Sequence, residues 1–201
     1  MRTVYIIGIT GGTGAGKMSA VRGLQKLGAL ALDCDEIYHE LLSSNVDMKA
    51  EIEARFEGVS TDGEIDRKKL SEVVFSDPHA LNELNSITHK YINAEVDCRI
   101  ESWEAQGGKH AALEAIALIE SGQNKKCAVV IGVIAPAEIR TARIMKRDGL
   151  TREQALGRIN AQKPNSYYEE NCDFILENTY ESSVEFEEKC TEYFTRLLGG
   201  K

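Results

Sequence analysis

Positive charge is in short supply in this sequence. Across 201 residues, 24 lysines and arginines face 32 aspartates and glutamates, a formal net charge of −8. A whole-protein basic footprint for nucleic acid or an anionic membrane surface is therefore excluded, and any anion must be met by a local cluster of cations. No apolar run approaches the length of a membrane span. The opening segment "MRTVYIIGITGG" has too few apolar residues for a secretory signal and runs into glycines, so a first strand is expected there. The cysteines are five and scattered (Cys34, Cys98, Cys127, Cys172, Cys190), with no C-x-x-C. That pattern fits reduced thiols in a cytoplasmic protein and argues against a disulfide framework or zinc site. His39, His79, His89 and His110 likewise lack ligand spacing. Internal repeats and low-complexity tracts are missing.

What is present is an alternation of strand and helix patterns. "TVYIIGI" (Thr3 to Ile9) is short, apolar and β-branched, as suits a strand buried on both faces. "KMSAVRGLQKLG" follows as a helix with Val21, Leu24 and Leu27 on one face and Gly28 closing it. "ALALD" (Ala29 to Asp33) is a second strand. From about Glu36 to Gly107 the pattern is almost wholly helical and highly charged. A turn is expected at Asp62-Gly63, and an apolar stripe through Leu84, Ile87, Tyr91, Ile92, Val96, Ile100 and Trp103 marks a long helix. Strands return in "HAALEAIAL", "KCAVVIGVIA" and "CDFILEN". Two helices are expected between the last two of these, one after Pro136 and one opened by the capping box "TREQ" at Thr151. An amphipathic helix ends the chain. This order predicts an α/β parallel sheet covered on both faces, with a helical lobe inserted after strand two.

Gly11, Gly16 and Lys17 fit G-x-x-x-x-G-K between an apolar strand and a helix. Glycines leave backbone N–H groups bare to wrap a phosphate chain, the helix N-terminus points at the same anion, and Lys17 can reach the β- and γ-phosphates. Gly12, Thr13, Gly14, Ala15, Gly16, Lys17, Met18 and Ser19 are the expected nucleotide-binding stretch. The competing reading is a glycine-rich turn with a solvated lysine. Met18 breaks the pattern, because the residue after the lysine usually puts a hydroxyl on Mg²⁺. A thioether is too soft a ligand for that ion. Backbone binding of ATP is expected to persist, with Mg²⁺ left to ATP, water and a carboxylate and with turnover weakened.

In "LDCDEIYHE", Asp33 and Asp35 follow strand two at the sheet edge where ligands bind. Phosphoryl transfer needs one carboxylate for the acceptor hydroxyl's proton and often another near the metal. The alternative is that Asp35 merely caps the next helix. Glu114 is a second acid for the metal. Arg140, Arg143 and Arg147 fall on one side of the helix "AEIRTARIMKRDG", either to neutralise a transferring phosphoryl group or as a solvated face pairing with Glu138 and Asp148. His89 and Tyr91 are expected to pack and hydrogen-bond.

Together, "GITGGTGAGK", "LDCDEIYHE", "GEIDRKKLSEVVFSDPHALNELNSITHKYI", "LIESG", "APAEIRTARIMKRDGLTREQALGRINAQ" and "CDFILEN" resemble the dephospho-CoA kinase family, in order from Gly8 to Asn178. The segment from Gly63 to Ile92 is the most diagnostic. The resemblance implies a three-layer P-loop nucleoside triphosphate hydrolase-like fold with about five parallel strands. Its core would be 1–35 and 108–201, its acceptor-binding lobe 36–107 and its lid about 138–165. It implies transfer of the γ-phosphate of ATP, with Mg²⁺, to the ribose 3′-hydroxyl of dephospho-coenzyme A. A cytoplasmic monomer or weak homo-oligomer with no nucleic acid or membrane partner is expected. By position, Lys17 falls in the ATP loop, Asp35 on the base with Asp33 as its neighbour, and Arg143 on the lid arginine, and these carry catalysis. From the residues themselves, Arg147 is expected to join the nucleotide site and Asp33 and Glu114 to stand near the metal. His89 lies in the family's "LN…H" segment. The departures are Met18, Lys90 where proline is usual, "EAIALIE" for D-V-P-L-L-x-E, and Val133 for an aspartate. Another metabolite kinase and a nucleotide-binding protein with little catalysis stay open as alternatives. A GTPase is disfavoured, because "NKKC" breaks the N-K-x-D pattern at Cys127.

Overall fold

The computed structural model describes residues 3–61 and 63–199, with backbone alone at 75, 76 and 78. The turn expected at Asp62-Gly63 thus falls partly outside the described residues. Five strands form one sheet: β1 (Tyr5–Thr10), β2 (Leu30–Asp33), β5 (His110–Glu114), β6 (Val129–Ile134) and β7 (Phe174–Glu177), in the order β2-β5-β1-β6-β7. β1 pairs in parallel with β5 (Ile9 opposite Glu114) and with β6 (Ile7 opposite Val129), and β6 pairs in parallel with β7 (Ile131 opposite Phe174). Parallel strands need crossover helices, which cover both faces and leave the central strand without polar outward residues. On one face Ile7, Ile9, Ile131 and Val133 pack with residues of α1 (Lys17–Lys26) and α9 (Ser183–Gly199), including Val21, Leu24, Phe186 and Phe194. On the other, a Cβ at Gly8 would strike Leu118 and Cys127, and one at Gly132 would crowd Cys172 and Tyr168. The sheet is therefore tightly covered on that side too.

Between β6 and β7 lie α6 (Ala137–Asp148), α7 (Arg152–Asn160) and α8 (Asn165–Asn171). The expected capping box is present: Thr151 Oγ1 accepts from Gln154 N–H and Gln154 Oε1 accepts from Thr151 N–H. Three helices stand where two were expected. The seven residues of α8 carry one buried side chain, Tyr168, too little for a helical stripe. Ile144, Leu150, Ala155 and Ile159 give α6 and α7 a small apolar core of their own.

The chain divides into two compact units, residues 1–32 with 102–201 and residues 33–101. The second contains α2 (Cys34–Ser44), α3 (Val46–Arg55), α4 (Arg67–Ser76) and most of α5 (Pro78–Ala105). It also contains a hairpin, β3 (Ser60–Thr61) with β4 (Glu64–Ile65), inside the stretch expected to be helical. Two-residue strands are too short for an alternation to register in sequence. Along α5 the buried positions among the described side chains are Ala80, Leu84, Thr88, Ile92, Val96 and Ile100. Thr88 satisfies its hydroxyl on the carbonyl of Leu84 at 2.9 Å, so a polar residue sits on the buried stripe. The last turn of α5, from Ser102, groups with the core unit. Trp103 Nε1 donates to the His110 carbonyl at 3.0 Å, and Glu104 accepts from Thr3 N–H and Oγ1 at 2.7 and 2.6 Å. Among the described residues, no helix is long and apolar enough to cross a membrane.

Candidate phosphate-binding site

The loop from Gly11 to Lys17 leaves the carboxyl end of the central strand and turns directly into α1. Gly16 is the N-cap of α1 with φ 105°, and no side chain caps the helix. The first N–H groups of α1 are thus left for an anion. The glycines answer to packing as well as to an incoming phosphate. A Cβ at Gly11 (φ +144°) would lie 2.1 Å from the Val133 carbonyl oxygen, and one at Gly16 would lie 2.2 Å from Asn178 Nδ2.

The loop's carbonyls are gripped from one side. Arg140, 3% exposed, donates from Nε to the Thr13 carbonyl at 2.8 Å. Arg143 Nη1 donates to the Gly14 and Ala15 carbonyls at 3.1 and 3.3 Å, and its Nη2 to Asn178 Oδ1 and the Tyr180 carbonyl at 3.0 and 2.6 Å. Asn178 Nδ2 adds a bond to the Ala15 carbonyl at 2.8 Å. In a trans peptide the C=O and the following N–H point in opposite directions. Pulling three successive carbonyls toward the arginines turns the N–H groups of Gly14, Ala15 and Gly16 the other way. The Ala15 N–H closes a turn on the Gly12 carbonyl at 3.2 Å. Burial pulls both guanidinium groups below their ordinary value, which is affordable because carbonyl acceptors satisfy them.

Lys17 Nζ lies 3.3 Å from Glu114 Oε1, with both side chains almost fully buried. Glu114 ends β5, so the sheet itself fixes this carboxylate beside the loop lysine. Asp33 ends β2, and its Oδ1 accepts from the N–H groups of Asp35 and Glu36 at 2.9 and 3.1 Å. The cap of α2 is therefore Asp33 and not Asp35, because the helix starts at Cys34 with no intervening loop. Asp35 is exposed in the first turn.

The three arginines expected on one face divide. Arg140 and Arg143 hold the loop, whereas exposed Arg147 makes a bidentate pair with Asp148 at 2.7 and 3.0 Å, joined there by Arg158 at 2.6 Å. Arg152 pairs with Glu138 at 2.8 Å. Met18 is 40% exposed. The Ser19 hydroxyl is buried and accepts from Arg22 at 3.2 Å. His89 is half-buried, and desolvation lowers its pKa.

Among the described residues, no group of three or more His, Cys, Asp or Glu could hold a metal. A protein cage for a cation is not what these residues offer. Mg²⁺ is commonly bound through one or two carboxylates plus substrate phosphates, and buried Glu114 is a hard oxygen donor suited to that arrangement. The Met18 sulfur is not. Sequence reasoning missed Asn178 and Gln162 as loop contacts; they lie 163 and 149 residues from Ala15 and Thr13, and no local spacing signals the pairing.

The family model for dephospho-CoA kinase matches residues 5–183. The dephospho-CoA kinase of Dehalococcoides mccartyi is 40% identical over 159 residues, covering 78% of this chain and 80% of that one. That of Latilactobacillus sakei is 33% identical over 175 residues, covering 87% of each. Among solved structures, a Thermus thermophilus protein superposes with TM-score 0.82 at 29% identity, covering 98% of this chain and 99% of that one. The dephospho-CoA kinase of Campylobacter jejuni does so with TM-score 0.69 at 26% identity, covering 97% and 98%.

Proposed function

The chain belongs to the dephospho-CoA kinase family, and on that premise we propose how its residues move a phosphoryl group from ATP to dephospho-coenzyme A. The loop from Gly12 to Ser19 and the N-terminus of α1 bind the phosphates, through amides other than those of Thr13, Ala15 and Ser19, which are bonded within the protein. Lys17 reaches the β- and γ-phosphates, and Glu114 orients its ammonium. The ribose 3′-oxygen of dephospho-coenzyme A forms a bond to the γ-phosphorus while the bond to the β–γ bridging oxygen breaks. ADP leaves, and Asp35 accepts the hydroxyl proton. Arg143 contributes from its grip on the Gly14 and Ala15 carbonyls, and Arg147 lies further along the same helix. Mg²⁺, held by ATP with Glu114 and Asp33, would neutralise charge on the β- and γ-oxygens. The unit of residues 33–101 binds the acceptor, and α6 and α7 form the lid. The enzyme works in the cytoplasm as a monomer or weak homo-oligomer, with no nucleic-acid or membrane partner.

The observation that carries this reading is the glycine loop whose carbonyls are tied down on one side, beside a buried Lys17–Glu114 pair. Incubation with ATP, Mg²⁺ and dephospho-coenzyme A, followed by phosphorus NMR of the product, tests it. A new 3′-phosphomonoester on the acceptor is expected. ADP and inorganic phosphate with unmodified acceptor would replace the kinase by a hydrolase.

A further inference from the structure

Thr13 is held at both ends of its own backbone by one pair of side chains. Arg140 Nε donates to its carbonyl at 2.8 Å, and Gln162 Oε1 accepts its N–H at 2.8 Å. The pair is closed by Arg140 Nη2, which donates to the same Gln162 oxygen at 2.9 Å. Two donors converge on that atom, so it must be the amide oxygen and the amide orientation is fixed. The guanidinium also lies against Gly12, where a Cβ would stand 2.3 Å from Nη2.

The peptide planes turn these contacts into a statement about the nucleotide. With Thr13 N–H directed to Gln162, the Gly12 carbonyl faces the opposite way, where it receives Ala15 N–H at 3.2 Å. With the Thr13 carbonyl directed to Arg140, the Gly14 N–H faces away from Arg140. Arg140 lies on α6 and Gln162 just after α7, and those two helices share the apolar core of Ile144, Ala155 and Ile159. One rigid pair of helices thus sets two consecutive peptides of the loop.

We propose that Arg140 and Gln162 act as joint positioning residues for the triphosphate. They touch no phosphate themselves, but they hold the Gly12–Thr13–Gly14 peptides so that the Gly14 N–H is presented to it. This rests on the reading of the loop as the ATP site. Because both side chains work on one residue through one shared oxygen, their effects are coupled.

The test uses the full chain with Arg140→Met, Gln162→Met and both together, measuring the ATP dissociation constant by calorimetry, KM for each substrate, and melting. Gln162 is only half-buried, so Gln162→Met leaves the fold in place even if Arg140→Met does not. Each single change is expected to weaken ATP binding by about tenfold, the worth of a hydrogen bond involving a charged group. KM for dephospho-coenzyme A should stay unchanged, and the double variant should be no worse than the weaker single. Gly12→Ala, which puts a methyl group where the guanidinium lies, should reproduce the loss with Arg140 intact. Variants that melt earlier yet bind ATP as the wild type does, or losses that add in the double variant, overturn the proposal. Wild-type protein that binds no ATP overturns the functional reading with it.

Discussion

A methyl group added at Gly11 would meet a backbone carbonyl at 2.1 Å, whereas one added at Gly63 would meet nothing within 4 Å. Gly11 belongs to the loop of the core unit and Gly63 to the other unit; Gly28, Gly107 and Gly149 of the core unit are as open as Gly63, so the contrast lies at the loop. In the core unit the loop is enclosed by the Val133 backbone, by Arg140 and Arg143 and by Asn178, and its buried polar groups are tied to partners far along the chain. In the unit of residues 33–101, polar contacts are mostly local helix caps and side-chain bonds to nearby backbone, joined by surface ion pairs. Arg55 pairs with Glu83, Lys90 with Glu51, and Arg99 with both Glu40 and Glu95. Exposed pairs of this kind contribute little, and that unit is held by its apolar stripe. The core unit is specified by close contact and tolerates few substitutions near the loop, while the other is specified by helical periodicity and tolerates many.

The sharpest way to break this comparison is at the chemistry. Lys17→Met should cost roughly 10³-fold or more in turnover and weaken ATP binding as well, since the lysine meets the phosphates in ground and transition states alike. Asp35→Asn should cost about 10²–10⁴-fold in turnover with ATP affinity retained, as expected of a proton acceptor. Equal loss of affinity in both variants would remove the assigned division of labour. The glycines come next. Gly11→Ala should destabilise the protein by at least about 2 kcal/mol, because backbone cannot yield to the new atom. Gly63→Ala should cost about 1 kcal/mol, from its positive φ alone. Paired chemical denaturation curves check this, and similar losses would erase the contrast between the units.

Met18→Thr should raise Mg²⁺-dependent turnover by about tenfold, a change of about 1.4 kcal/mol in the barrier. Unchanged turnover would mean that the hydroxyl at this position is dispensable here. The smallest effect is expected at Glu51. The hydrogen bonds from Lys90 and then from Tyr91 hold its carboxyl below the ordinary carboxylate value of 4.5. A depressed carboxylate stabilises the fold above its unfolded pKa, and that contribution fades as pH falls through the folded value. Glu51→Gln should therefore lower the melting temperature slightly near neutrality, with the difference from the wild type vanishing in acid. A difference that grows on acidification would reverse the sign of the argument.

The phosphate loop was legible in sequence because close approach demands glycine at fixed positions, and such a demand survives without any knowledge of the fold. The long helix α5 was legible from its repeat, although Thr88 sits on the buried stripe through a bond to its own helix. The hairpin β3–β4 and helix α8 were not, because elements this short carry no period. The cap at the start of α2 could fall on either of two acids in "DCD", and only the point at which the helix begins selects Asp33. The loop contacts of Arg140, Gln162 and Asn178 were hidden for a different reason. They join positions more than 120 residues apart, and residue type alone does not distinguish an arginine that grips a carbonyl from one that faces water, as Arg143 and Arg147 show on a single helix.

The most direct test of the account is ADP release by the purified protein with ATP and Mg²⁺, comparing dephospho-coenzyme A with adenosine and AMP as acceptors. ADP formed only with dephospho-coenzyme A is the predicted result, and it would show that the loop works with Met18 in place. No ADP with any acceptor, while ATP still binds, would contradict the account and leave a nucleotide-binding fold without its chemistry.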